Sequence, residues 1–187
     1  MNMNSRNQQI WDEYLVLHAQ AGDQRALQRL LARHQAALLS YVLRLSGDPE
    51  AARDICQDAM LACCRRLTSL RDPARFRAWL FRIATHRCRD WQRSDYRRRS
   101  REIAADDVDL NDVEAGLPTN ADQQQAVAET LARLPRPTRA LLGLFYVQGF
   151  TITELAETLD MTPGAVKTRL YRARTQFSRI WNGEDHE

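Results

Sequence analysis

The fold of the chain is decided by Thr151-Ile-Thr-Glu-Leu-Ala-Glu-Thr-Leu-Asp160-Met-Thr-Pro-Gly-Ala-Val-Lys-Thr-Arg-Leu170-Tyr-Arg-Ala-Arg174. Thr151 followed by Glu154 is a capping-box start, in which hydroxyl and carboxylate satisfy each other's orphan amides at a helix N-terminus. Ile152, Leu155, Ala156 and Leu159 then share one apolar face. The period breaks at Asp160 and Met161 and restarts at Thr162-Pro163, with threonine as N-cap and proline at the first helical position. The second helix places Val166, Leu170, Ala173 and Phe177 inward. Lys167, Arg169, Arg172, Arg174 and Arg179 face outward, and no acid lies between Thr162 and Trp181. The pattern is that of a helix-turn-helix whose outer face suits phosphates and guanine edges in a major groove. Short helices with a tight turn occur in many domains, and arginine-rich surface helices are often only solvated, so the rest of the chain must decide.

At 187 residues the chain could form one ordinary domain or two small ones. Its net charge of +3 conceals strong segregation. Residues 65–101 hold thirteen arginines against Asp72, Asp90 and Asp95, and residues 102–129 hold eight acids with no Lys or Arg. Basic blocks flanking an acidic one point to nucleic-acid or acidic-protein partners, with the acidic block able to compete for the basic ones. No apolar run approaches the ~18–20 residues of a membrane span, and Met1 to Gln9 is polar, so no membrane insertion and a cytoplasmic location are expected. Cys56, Cys63, Cys64 and Cys88 lack the paired spacing of a zinc site and read as small buried hydrophobes in a reducing compartment. Thiol sensing or metal binding through His86 and Cys88 is the alternative.

Upstream, the periodicity predicts a first helix over 9–21 with Ile10, Tyr14, Leu15 and Leu17 inward, ended by Gly22-Asp23. Asp23 caps a second helix whose stripe is Leu27, Leu30, Leu31, Leu38, Tyr41, Val42 and Leu45. Asp48-Pro49 opens a third, with Ala52, Ile55, Cys56, Ala59, Cys63 and Leu67 inward and Glu50, Asp54, Gln57 and Asp58 outward. After Arg71-Asp72-Pro73 a fourth helix buries Phe76, Trp79, Leu80, Ile83, Ala84, Cys88 and Trp91 and shows arginine outward. Aromatics interleaved with Arg75, Arg77, Arg82, Arg87, Arg89 and Arg93 would suit a groove in which unpaired bases stack, although Phe76 and Trp79 read better as core. From Glu102 to Asn120 periodicity is lost and the segment reads as a linker. A second helical domain starts near Asp122 with Val127, Leu131 and Leu134, breaks at Pro135-Arg136-Pro137, and continues through Leu141, Leu142, Leu144 and Phe145 to the helix-turn-helix. The expected fold is all-α: two small helical domains, 9–100 and 122–181, joined by a flexible acidic linker over 101–121, the second ending in the helix-turn-helix.

Taken together, these motifs resemble the extracytoplasmic-function sigma factors, the promoter-specificity subunits of bacterial RNA polymerase, over about Asp23 to Phe177. Asp48-Pro-Glu-Ala-Ala-Arg-Asp-Ile-Cys-Gln-Asp58 is similar to the family's acidic segment that docks on the clamp helices of the polymerase's largest subunit. Phe76-Arg-Ala-Trp-Leu-Phe-Arg-Ile-Ala-Thr-His-Arg-Cys-Arg-Asp90 is similar to its promoter-melting segment. Leu134-Pro135 with Arg139 and the helix-turn-helix resembles its upstream-element reader. The resemblance implies a contact with core polymerase through Asp48, Glu50, Asp54, Gln57 and Asp58. It implies capture of the downstream (−10) element by Arg82, His86, Arg87, Arg89, Asp90, Trp91 and Arg93. Reading of the upstream (−35) element would fall to Thr162, Lys167, Thr168, Arg169, Tyr171, Arg172 and Arg174. The implied partners are core RNA polymerase (clamp helices of the largest subunit, flap of the second), promoter DNA and, as for many members, an anti-sigma factor. The chain departs from the family pattern at His86, where asparagine is usual, at Ala165 for threonine or asparagine, and at Asp160 for glycine.

Nothing resembles a nucleophile with an adjacent base, a phosphate loop or a metal cluster, so no enzyme, cofactor or metal is expected. Two other readings stay open. A self-sufficient helix-turn-helix repressor would need a dimerisation element, and no heptad seam is present. A thiol or metal sensor would show stoichiometric zinc or redox-dependent activity.

Overall fold

The computed structural model describes residues 3–102 and 121–183. These form eight α-helices with no strand among the described residues: α1 Met3–Gln20, α2 Gln24–Ser46, α3 Pro49–Arg66, α4 Phe76–Glu102, α5 Ala121–Ala132, α6 Arg136–Leu142, α7 Ile152–Leu159 and α8 Pro163–Trp181. Short 3₁₀ turns at Leu67–Ser69 and Pro73–Arg75 join α3 to α4, and a π-helical turn at Gly143–Val147 follows α6. The interior of the proposed linker, residues 103–120, lies outside the described residues; its expected first and last residues belong to the ends of α4 and α5.

The breaks fall where local chemistry places them. Asp23 accepts from the amides of Arg25 and Ala26 to start α2, and Asp48 accepts from Glu50 and Ala51 to start α3 ahead of Pro49. Gly47, at φ 70, closes α2 in the left-handed conformation that glycine adopts without penalty. The whole predicted stripe of α3 is buried. In α4 the hydroxyl of Thr85 donates to the carbonyl of Phe81 at 2.8 Å, so Tyr41 of α2 donates to Thr85, also at 2.8 Å, joining the inner faces of α2 and α4.

Two expectations need correction. α1 begins at Met3, and its inward face matches the predicted one only at Leu15: Leu15 and Val16 are buried, while Ile10, Tyr14 and Leu17 are each at least half exposed. The cause is polar. Asp12 is buried against α2, with Oδ2 2.9 Å from His34 Nε2 and Oδ1 accepting from Arg33 Nε at 3.0 Å. Burial works against the charged carboxylate, but the His34 hydrogen bond and then Arg33 outweigh it and hold the acid below its ordinary value. Seating that pair rotates α1 away from its apolar stripe. Val127 is likewise exposed, because α5 meets the body through Thr130, Leu131 and Leu134.

The two expected helical domains are present, and they pack against one another so that one hydrophobic core runs through both. α4 is sandwiched, with α2 and α3 on one side and α7 on the other. Phe81, which the single-stripe reading of α4 left out, is 1 % exposed and meets Phe150 edge-on at 5.0 Å between ring centroids. Burying a ring of this size contributes roughly 1.5–3 kcal/mol. Arg77 binds the same junction: its guanidinium lies 4.2 Å from the Phe150 centroid, donates to the carbonyls of Gln148 and Gly149, and pairs with Glu154 at 2.7 Å. Arg136 donates across the halves to the carbonyl of Ser46 at 2.8 Å.

Candidate nucleic-acid and polymerase interfaces

The helix-turn-helix forms as its caps dictate. The Thr151 amide donates to Glu154 Oε2 at 2.8 Å and the Glu154 amide to Thr151 Oγ1 at 3.2 Å, completing the capping box. α7 ends at Asp160, and Thr162 restarts the chain by accepting from the Ala165 amide at 3.2 Å. Val166, Leu170 and Ala173 then bury one side of α8. The opposite side is free of the body: Lys167, Thr168, Arg169, Tyr171, Arg172 and Arg174 are all exposed, Tyr171 by 70 %. Lys167 and Arg172 take no partner among the described residues. Others on the predicted strip have local duties. Thr162 is the cap, the Thr168 hydroxyl donates to the Gly164 carbonyl, and Arg169 lies 3.5 Å from the Met161 sulfur. The Arg174 guanidinium lies over the rings of Phe145 and Tyr146 at 5.5 and 5.6 Å.

The α4 residues divide between two surroundings. Arg82, His86 and Arg89 face α7, where the Asp160 carboxylate receives Arg82 Nε at 2.7 Å and His86 Nε2 at 2.9 Å and stands 3.8 Å from Arg89. Arg89 also donates to the carbonyl of Leu159 at 3.1 Å. Arg87, Asp90 and Arg93 are exposed, and Trp91 is half-buried against the core. The sequence reading missed the other side of this contact, an acidic row of Glu154, Glu157 and Asp160 on α7 and its end. Its spacing of three was visible, but nothing local linked it to α4.

On α3, Glu50, Asp54, Gln57 and Asp58 are exposed and lie off the buried stripe. Asp48 differs from them because its carboxylate is occupied as the N-cap. Leu61, 44 % exposed and one turn beyond Asp58, adds an apolar group that the sequence reading passed over. Its only signal was a leucine outside the inner stripe.

Three of the four cysteines are core as expected, while Cys64, expected to be buried with them, is exposed because it lies off the inner stripe of α3. Cys56, Cys63 and Cys88 are buried, and burial pushes the Cys63 and Cys88 thiols up to about 12 and raises Cys56. Thiols so protonated are poor nucleophiles. Only Cys64 is exposed among the four, and no group of three or more His, Cys, Asp or Glu able to hold a metal occurs among the described residues. Iodoacetamide at neutral pH is therefore expected to alkylate Cys64 in the native protein and the other three only after unfolding. Mass spectrometry of the peptides checks this, and rapid native labelling of Cys63 or Cys88 would contradict the burial described here.

Known proteins match the chain in the same two parts. Residues 30–101 match the Sigma-70 region 2 family and residues 124–177 the Sigma-70, region 4 family. The ECF RNA polymerase sigma-E factor of Escherichia coli K12 is 30 % identical over 181 residues, covering 90 % of this chain and 93 % of that protein. A probable RNA polymerase sigma factor, RfaY of Xanthomonas campestris pv. campestris, is 33 % identical over 165 residues; the alignment covers 84 % of this chain but spans only 40 % of that longer protein. Among solved structures, CnrH in complex with the cytosolic domain of CnrY aligns at a TM-score of 0.66 with 30 % identity, over 94 % of this chain and 99 % of CnrH.

Proposed function

The chain belongs to the extracytoplasmic-function sigma factors of bacterial RNA polymerase, and from that premise we propose which of its surfaces carries each step of promoter-specific transcription initiation. The upstream element is read as duplex by the exposed strip of α8, with Lys167, Thr168, Tyr171 and Arg172 at base edges and Thr162, Arg169 and Arg174 beside them. The observation that carries this assignment is the strip itself: cationic and hydroxyl groups projecting from one side of a helix whose other side is locked by Val166, Leu170 and Ala173. A recognition helix entering a major groove presents its residues in this way.

The downstream element is held by α4, where Arg82, His86, Arg87, Arg89, Asp90, Trp91 and Arg93 meet the unpaired strand, cations on the backbone and Trp91 on a base. Core polymerase is bound by the outer face of α3 through Glu50, Asp54, Gln57 and Asp58 on the clamp helices. Asp48 serves that surface by starting the helix, and residues 122–181 approach the flap. Residues 9–100 and 122–181 are the working units, with 101–121 connecting them. Phosphodiester chemistry belongs to the polymerase, so this chain supplies binding and placement and works in the cytoplasm. No helix among the described residues is long and apolar enough to cross a membrane. CnrH is in complex with the cytosolic domain of CnrY, and that likeness, with the family membership, supports an anti-sigma factor as a partner of this chain. Run-off transcription with core polymerase, with and without the protein, on templates carrying both elements tests the assignment. Start-site-specific transcripts are expected only when the protein is added, and their absence on every such promoter would overturn it.

A further inference from the structure

Asp160 is the only non-glycine residue at positive φ among the described residues, at φ 56. An L-residue is sterically disfavoured there, and glycine would take the position freely. Such a residue persists where its surroundings hold it. Here the surroundings are three cationic or hydrogen-bonding groups of α4, since Arg82, His86 and Arg89 converge on one carboxylate. Glu157 and Glu154, one and two turns back along α7, continue the row onto Arg75 and Arg77, each at 2.7 Å.

Resting on the assignment of α4 to the downstream strand, we infer that this acidic row is an internal substitute for nucleic-acid phosphate. It occupies the strand-binding face of α4 in the free protein and masks it until the two halves separate. The Asp160 carboxylate stands against three groups assigned to the strand, Arg82 at 2.7 Å, His86 at 2.9 Å and Arg89 at 3.8 Å, where a phosphodiester oxygen would otherwise sit. The masking is one-sided, because the α8 strip remains in solvent.

The contact is also built to yield. Its ion pairs are partly exposed, and such pairs are individually weak and screened by salt. Beneath them Phe81 meets Phe150, and Thr158, fully buried, reaches toward the carbonyl of Ala78 at 3.4 Å. Apolar packing thus supplies the adhesion and the acidic row sets the register. A ligand of the open form sees its affinity reduced by the fraction of molecules that are open.

Two variants of the full chain test this. Asp160→Gly removes the carboxylate while keeping a residue suited to the left-handed turn. Thr158→Arg drives a charged wedge between α7 and α4. The probe is a labelled single-stranded oligonucleotide bearing the non-template downstream element, titrated by fluorescence anisotropy alongside small-angle scattering and circular dichroism. Asp160→Gly is expected to tighten oligonucleotide binding about two- to tenfold, the effect of losing the three partly exposed pairs of one carboxylate, each individually weak. Thr158→Arg should tighten it further and enlarge the radius of gyration with helicity retained, while binding of upstream duplex through α8 stays unchanged. If neither variant changes affinity or dimensions, the mask is wrong and the assignment of α4 stands. If Thr158→Arg opens the molecule but the oligonucleotide binds no more tightly, α4 is not the strand reader, and the mask falls with that assignment.

Discussion

Replacing Asp54 and Asp58 together by arginine is expected to abolish co-elution of the protein with core polymerase while leaving its helical circular-dichroism signal intact. The two carboxylates are four residues apart on α3, so they share one side of the helix, and both are exposed. The buried residues beneath, Ile55, Cys56 and Ala59, are untouched by the change. Neither acid caps the helix, and the substitution reverses the sign of the surface that would meet a basic partner; like charges brought together in an interface cost several kcal/mol. Asp48→Ala separates this effect from simple destabilisation. That variant loses the amide contacts at Glu50 and Ala51 and about 0.5–2 kcal/mol of stability, yet it should still co-elute with core at temperatures where it is folded. Retained co-elution of the double-arginine variant would remove α3 from the polymerase interface.

Lys167→Ala and Arg172→Ala are each expected to weaken promoter recognition by ~1–3 kcal/mol per base contact and to relax preference at one or two upstream positions. Lys167 is the chain's only lysine beside twenty-six arginines, and neither Lys167 nor Arg172 has a partner to be lost among the described residues. A loss at these positions therefore reports on DNA rather than on folding. Arg174 and Arg179 lie nearer the end of α8, and their alanine variants should lose affinity evenly across sequences, each lowering the salt slope by at most about one unit. Arg174→Ala also gives up its place over Phe145 and Tyr146. Holoenzyme transcription from a library randomised in the upstream element, at two salt concentrations, separates the two behaviours. An unchanged preferred sequence in both Lys167→Ala and Arg172→Ala would mean that α8 does not read the element.

What could be read from the sequence was whatever is encoded locally. The helix-turn-helix is specified by Thr151, Glu154, Thr162 and Pro163 within a few residues of the bonds they make, and those bonds are present. The stripes of α2 and α3 are buried or partly buried as their helical spacing implied. α1 was misoriented because a buried Asp12–His34 pair, invisible to an apolar count, fixes its rotation. Phe81 was missed because α4 is covered on two sides and a single period cannot describe it. The packing of the two halves had no local signature. Its basic partners and acidic partners were each legible as charge, and only the folded chain shows that Arg75, Arg77 and Arg82 meet Glu157, Glu154 and Asp160.

The bond from Arg77 to Glu154 closes across 77 residues of chain. Synthesis at ~5–20 residues per second delivers the second partner roughly 4–15 s after the first. The helices α1 to α4 can pack among themselves during that interval, because their contacts are nearer in sequence. A ribosome carrying this nascent chain therefore displays a bare arginine face for several seconds, in a compartment filled with messenger and ribosomal RNA, before α7 has been made to cover it.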